Sequence, residues 1–231
     1  MHPFVTALLD LLYPPRCAAC REPLASTADE PFCAVCRDAV DPVPPGCRRC
    51  GLPGPLELCG ACHASPPAFA RCEAAGLFGG PLADAIHAFK YQDRAALARP
   101  LGAWLAASVA LPARAVVVPV PLARRRRLGR GYDQAALLAR ALCRAAGRPR
   151  AFAPAALARV RDTPPQVGRS ADARRANVRG AFRAASETVR GADVILVDDV
   201  VTTGATADAA AAALLAAGAR TVSVVALARA E

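Results

Sequence analysis

Lysine is almost missing from this chain. Lys90 is the only one, although Lys and Arg together number 29 against 19 Asp and Glu. The formal net charge of +10 is therefore carried by arginine. Arginine suits phosphate and nucleic acid, because its planar fork of donors matches their oxygens. The alanine and arginine richness also fits a composition bias of the source. Aromatic residues are scarce too, at 5% with a single Trp. The 54% hydrophobic content allows a sizeable core, but one made of small side chains. The apolar run at the start, Met1 to Tyr13, is broken by Asp10 and halted by Pro14-Pro15. It is too short to span a bilayer. It has no basic leader and no A-x-A cleavage site, so we expect no signal peptide, a short amphipathic helix over residues 1–13, and a cytoplasmic location.

What the chain has in excess is cysteine in pairs. Eight of its ten cysteines form four C-x-x-C pairs: Cys17/Cys20, Cys33/Cys36, Cys47/Cys50 and Cys59/Cys62. One such pair offers two tetrahedral thiolate ligands from a single knuckle, and a second pair closes the site. Four pairs make two four-cysteine zinc sites. Sequential pairing is the simplest arrangement, and interleaving stays open. A disulfide framework would need an oxidising compartment. A redox C-x-x-C would need a thioredoxin-like setting, which four copies in a proline-rich segment do not provide. Cys72 and Cys143 fall outside the pattern and read as packing residues. His63 follows Cys62 and is a spare ligand at most. Arg21, Gly51 and Gly60 mark tight turns. Apolar periodicity is poor from Tyr13 to Pro67, so metal must supply much of the stability there. Ser65-Pro66-Pro67 closes this region. The expected organisation is a terminal helix over 1–13, a double zinc ribbon over 14–67 and one larger domain over 68–231.

The larger domain is organised around Val194-Ile195-Leu196-Val197-Asp198-Asp199-Val200-Val201-Thr202-Thr203-Gly204-Ala205-Thr206. Four apolar residues without polar alternation suit a strand buried on both faces of a parallel sheet. The alanine-rich run Ala207 to Ala217, stopped by Gly218, suits a helix. Ligands of open parallel sheets bind at the carboxyl ends of the strands. Backbone N–H groups from Thr202 to Thr206, with three threonine hydroxyls, would cradle a phosphate at the helix N-terminus. Gly204 would let the backbone approach closely. Asp198 and Asp199 suit sugar hydroxyls or hydrated Mg²⁺. Together these features describe a pocket for a ribose 5-phosphate group. The plainer alternative is a buried strand, a capped helix and solvated acids. It is weakened by the cost of two adjacent acids after a buried strand.

The remaining elements follow the same alternation. Strands are expected at Arg71 to Phe78, Ala115 to Val118, Ala156 to Val160 and Thr221 to Leu227. Helices are expected at Leu82 to Tyr91, Arg94 to Ala110 and Ala135 to Ala146. Lys90, in the last turn of its helix, reads equally as a phosphate contact or as a cation at a helix C-terminus. After Pro119-Val120-Pro121-Leu122, the run Arg124 to Arg127 with Arg130 makes a strongly cationic loop. One or two of Arg125, Arg127 and Arg130 are expected to face the site. A long polar segment follows, from Arg161 to Phe182. Loops of that size are usually functional or disordered. Gln166, Arg174 and Arg179 are its candidates for closing over a ligand and excluding water.

The Val194–Thr206 stretch resembles the phosphoribosyl pyrophosphate (PRPP) motif of type I phosphoribosyltransferases. The series Ile86-His87-Ala88-Phe89-Lys90-Tyr91, Arg130-Gly131-Tyr132-Asp133-Gln134-Ala135, Thr163-Pro164-Pro165-Gln166 and Arg175-Ala176-Asn177-Val178-Arg179-Gly180-Ala181-Phe182, behind a cysteine-knuckle region, resembles the ComF family over nearly the whole chain. The resemblance implies an α/β fold: a type I phosphoribosyltransferase-like parallel sheet flanked by helices, preceded by a small zinc-ribbon region. It implies that Asp198 and Asp199 hold the ribose hydroxyls and that Val201, Thr202, Thr203, Gly204, Ala205 and Thr206 hold the 5-phosphate. Lys90, Arg125, Arg130 and Arg174 would be further PRPP contacts. The implied activity is Mg²⁺-dependent phosphoribosyl transfer to an acceptor the sequence does not name. It is linked to imported single-stranded DNA and the competence machinery. The acceptor hood would be built from Arg71 to Tyr91 and the ribbon. The alternative is a non-catalytic, zinc-ribbon protein that binds single strands and keeps a sensory or vestigial PRPP site. No helix-turn-helix signal supports a transcriptional regulator.

Overall fold

A computed structural model describes residues 15–24, 29–92, 94–123, 129, 131–161, 178 and 180–230. Its centre is a four-stranded, all-parallel sheet of β1 (Arg71–Leu77), β2 (Val116–Pro119), β5 (Asp193–Val201) and β6 (Thr221–Arg229), in the order β1-β6-β5-β2. A separate antiparallel pair, β3 (Leu157–Arg159) and β4 (Phe182–Ala184), stands beside it. The expected strand at Ala156 to Val160 thus forms, but outside the parallel sheet.

The sheet is covered on both faces, as its unalternating apolar strands require. Ile195 and Val197 of β5 face one core with α3 (Gly80–Tyr91), α4 (Ala98–Ser108) and α5 (Gln134–Ala145). Val194 and Leu196 face the other core with β3, β4 and α7 (Ala205–Ala216). The short helix α6 (Ser186–Val189) leads into β5. Small side chains let the helices approach closely. At Gly102 of α4, an added Cβ would lie 2.4 Å from the Ala141 Cβ of α5. The helix expected from Arg94 begins instead as a 3-10 turn over Ala95–Leu97. Residues Arg71 to Leu77 form the expected strand, at the edge of the main sheet.

The cysteine-rich region makes two similar knuckles, each followed by a short helix, α1 (Ala34–Asp38) or α2 (Gly60–Ala64). The pattern repeats bond for bond. The Cys17 and Cys47 amides donate to Glu22 and Leu52, and the Arg21 and Gly51 amides donate to Cys17 and Cys47. The residue after each first pair has positive φ, 66° at Arg21 and 67° at Gly51. In the second knuckle only glycine fits, since a Cβ on Gly51 would meet the Cys72 carbonyl oxygen of β1 at 2.7 Å. The two knuckles pack on opposite faces. Cys17, Ala18, Phe32 and Cys36 join the α3–α5 core, with Phe32 edge-on to Trp104. Cys50 packs with the α7 core. The chain between them crosses the outer edge of β1, where the Leu77 amide donates to the Asp41 carbonyl. At the opposite margin the Ala153 amide donates to the Val117 carbonyl of β2.

Candidate functional site

Each cysteine quartet is sequentially paired. The sulfurs of Cys17, Cys20, Cys33 and Cys36 lie within 4.8 Å of one another, and so do those of Cys47, Cys50, Cys59 and Cys62. The Cys20–Cys33 and Cys50–Cys59 sulfurs are 3.8 and 3.7 Å apart. Four thiolates held about 2.3 Å from a tetrahedral zinc are spaced by about 3.8 Å, so the donor sets fit that ion. The distances are far beyond a disulfide bond, and all ten cysteines are free. Burial pushes the Cys17 thiol up, but the amides of Cys33, Cys20 and Ala19 outweigh it and bring it down to about 6. Cys47 behaves alike, through the amides of Cys50, Cys59 and Arg49. Cys72 and Cys143 are buried packing residues outside both quartets.

The second centre lies at the carboxyl edge of the parallel sheet. β5 does not stop at Val197 but runs on to Val201, with Val200 and Val201 paired to Ala228 and Arg229 of β6. The acids are therefore strand residues, and their side chains alternate between faces. Asp198 lines a small pocket with Val200 and the turn Val201 to Thr206 at the start of α7. Asp199 faces α3 and forms a 2.8 Å ion pair with Lys90. The doublet is thus divided between the turn and the helix. Lys90 does sit in the last turn of α3, and its ammonium meets a carboxylate.

Electrostatics separates the two carboxyls further. Burial, then the charge of Asp199, pushes Asp198 up to about 7, against the pull of the Asp199 amide and of Lys90. The Asp199 amide donates to Asp198 Oδ1 at 2.8 Å. Asp133 also raises Asp198, which places a third carboxylate within electrostatic range. Asp133 caps α5 by accepting the Ala136 amide and holds the preceding segment by accepting that of Leu122, each at 3.1 Å. Among the described residues only the two cysteine quartets gather three or more metal-ligating side chains, so these three carboxylates do not by themselves form a cation site.

The turn opens α7, and within it the Ala205 amide donates to Thr203 Oγ1 at 3.4 Å. Gly204 caps α7 at φ 75°. The first-turn amides of a helix have no intrahelical acceptor and carry partial positive charge. Val201 and Ala205 are buried and fix the turn, whereas Thr202 is exposed and Thr203 and Thr206 are half-buried. Arg125, Arg130 and Arg174 lie outside the described residues, as do Arg127, Gln166 and Arg179.

Sequence reasoning missed the residue that holds this turn. Arg229, at the end of β6, is only 4% exposed. Its Nη1 donates to the carbonyls of Val201 (3.0 Å), Thr202 and Ala230, and its Nε to that of Cys50 (3.1 Å). One guanidinium thus joins the second knuckle to the turn. The two also share a cavity of about 260 Å³ between Cys59, Pro67, Phe69, Thr203 and Asp208. Asp208 of α7 accepts the Ala68 amide at 2.7 Å, closing the link behind it.

A parallel sheet with an amide-lined turn and divided acids at its carboxyl edge, preceded by two tetrathiolate knuckles, defines a type I phosphoribosyltransferase-like domain joined to a double zinc ribbon. Comparison with known proteins agrees. The double zinc ribbon domain matches residues 8–63 and the phosphoribosyl transferase domain residues 129–231. The DNA utilization protein YhgH of Salmonella typhi is 36% identical over 228 residues, covering 95% of this chain and 99% of that one. Competence protein F of Haemophilus influenzae is 33% identical over 226 residues, covering 93% and 97%. The chain belongs to the ComF family. Among solved structures, the allosteric regulatory enzyme of purine biosynthesis is 26% identical with a TM-score of 0.41, over 58% of this chain and 26% of that one. Among the described residues, no helix is long and apolar enough to cross a membrane.

Proposed function

We propose that the carboxyl-edge pocket binds PRPP with Mg²⁺ and transfers its phosphoribosyl group to an acceptor. The observation that carries this reading is the placement of Asp198 in one pocket with the Thr202–Thr206 turn. The turn amides and threonine hydroxyls would hold the 5-phosphate, and Asp198 and Asp199 the ribose hydroxyls. Bound Mg²⁺ would spread the charge of the pyrophosphate. Arg125, Arg130 and Arg174 are the proposed partners of that group. As the bond from ribose C1 to pyrophosphate breaks and the acceptor bonds to C1, the ring gains positive character. The carboxylates then offset it, so catalysis is mainly electrostatic. Zinc in the ribbons is structural. The names of the relatives, DNA utilization protein and competence protein, support a role in handling DNA, which we extend to imported single strands.

A second reading, favoured by the charge of +10, is strand binding without chemistry, with PRPP as a signal. Calorimetric titration with PRPP and Mg²⁺ separates the two. The first predicts Mg²⁺-dependent binding that Asp199→Asn abolishes, with pyrophosphate released on addition of an acceptor. The second predicts strand affinity that falls steeply with salt and survives Asp199→Asn. Absence of PRPP binding by the zinc-loaded protein would refute the PRPP site in both.

A further inference from the structure

Three arginines converge beside the first cysteine quartet. Arg16, Arg21 and Arg94, with Gln92 at the end of α3, line one open pocket. None of them forms an ion pair with a carboxylate among the described residues. Their bonds go to neutral acceptors: Arg16 Nη1 donates to the Arg21 carbonyl at 3.2 Å, and Arg21 Nη2 to Gln92 Oε1 at 2.8 Å. Arg94 Nη1 is closed off from solvent and has no acceptor among the described residues. A buried donor left without a partner is costly, and a charged one more so.

Neutralising the adjacent metal–thiolate centre would account for positive charge here, but not for its geometry. No guanidinium of the three donates to a cysteine sulfur. The shared knuckle turn sets a positive φ in both knuckles, but the residue that carries it differs. Arg21 holds φ at 66° where the second knuckle has Gly51. A non-glycine residue there is strained. In the first knuckle the left-handed position carries a guanidinium aimed at Gln92, and the space around it stays open.

We propose that this pocket is a second anion site, distinct from the Thr202–Thr206 turn. Its ligand is a phosphoryl oxyanion, either free or in the backbone of a single nucleic-acid strand. Planar guanidinium forks match phosphoryl oxygens in charge and geometry. The inference stands without PRPP binding, since no residue is shared between the two sites.

The test uses zinc-loaded full-length protein, Arg21→Gly, and the double variant Arg16→Gln with Arg94→Gln. Arg21→Gly removes one guanidinium and relieves the strained φ, so it keeps the fold and both metals. The probes are inorganic phosphate and a labelled oligothymidylate lacking a 5′-phosphate. In both variants, phosphate stoichiometry falls by one site. If the oxyanion belongs to a strand, phosphate competes with the oligothymidylate in the wild type. Oligothymidylate affinity then falls about tenfold in the variants, and its salt slope flattens by about 0.7 for each phosphate no longer neutralised. If only phosphate binding changes, the ligand is the free anion. The proposal is overturned if both probes bind both variants as they bind wild type, or if weaker binding appears only where zinc is lost.

Discussion

Replacing Arg229 with methionine keeps the aliphatic bulk at the end of β6 and removes its donors. Four carbonyl oxygens lose a charged donor, those of Cys50, Val201, Thr202 and Ala230, although Val201 keeps the Ala230 amide at 2.9 Å. A hydrogen bond to a charged group contributes about 1.5–3 kcal/mol. The four losses do not add, because three share one nitrogen and the exposed Thr202 end of the turn can be rehydrated. Treating Cys50 as a full loss and Val201, which keeps the Ala230 amide, as a partial one gives a cost of about 2–4 kcal/mol. For a chain of this size that lowers Tm by roughly 10 °C. The turn also loses its tie to the second knuckle, so PRPP affinity should weaken by at least about tenfold. Arg229→Lys is the control. It keeps the charge, but a single ammonium cannot serve the knuckle and the turn together. It should recover part of the stability and little of the affinity. Thermal unfolding, PRPP calorimetry and zinc stoichiometry on the same samples decide the matter. A methionine variant within about 2 °C of wild type would refute the stability argument. Unchanged PRPP affinity in a destabilised variant would show that Arg229 supports the fold and not the turn.

Three further outcomes are expected. Asp198 is pushed from its ordinary 3.8 up to about 7, so between those values the folded chain holds a proton that the unfolded chain has lost. Stability therefore falls as pH rises through that window, and the wild-type Tm profile should descend relative to Asp198→Asn; parallel profiles would refute it. Gly102→Ala improves helix propensity, yet should destabilise by about 1–3 kcal/mol through overpacking against Ala141, as urea unfolding would read. Cys20→Ser and Cys50→Ser should each lower zinc content by one of two ions, and only Cys50→Ser should also weaken PRPP binding; equal effects on PRPP would argue against a specific link between the second knuckle and the turn.

Much of this was legible in the sequence because the signals were local. C-x-x-C spacing depends on one knuckle, and the run Val194 to Val197 depends on one strand. The strand read from Val194 to Val197 continues to Val201 for a tertiary reason. Val200 and Val201 keep pairing with β6, so Asp198 and Asp199 remain in the pleat and diverge. No one-dimensional pattern distinguishes two acids in one loop from two acids on opposite faces. The pair β3 and β4 is three residues a strand, too short for any period to show. Arg229 had a readable signal, a charge ending an otherwise apolar strand. Its partners, however, lie as far as 179 positions away in the chain.

The parallel sheet ends on neither side in a bare strand. At Leu77 the amide of β1 is taken by the Asp41 crossover, and at Val117 the carbonyl of β2 is taken by Ala153. Unprotected strand margins are templates for aggregation and domain swapping. A second copy would have to peel back the inter-knuckle crossover before it could add a strand at β1, so loss of metal from the knuckles should make this chain prone to fibrillar self-association as well as less stable.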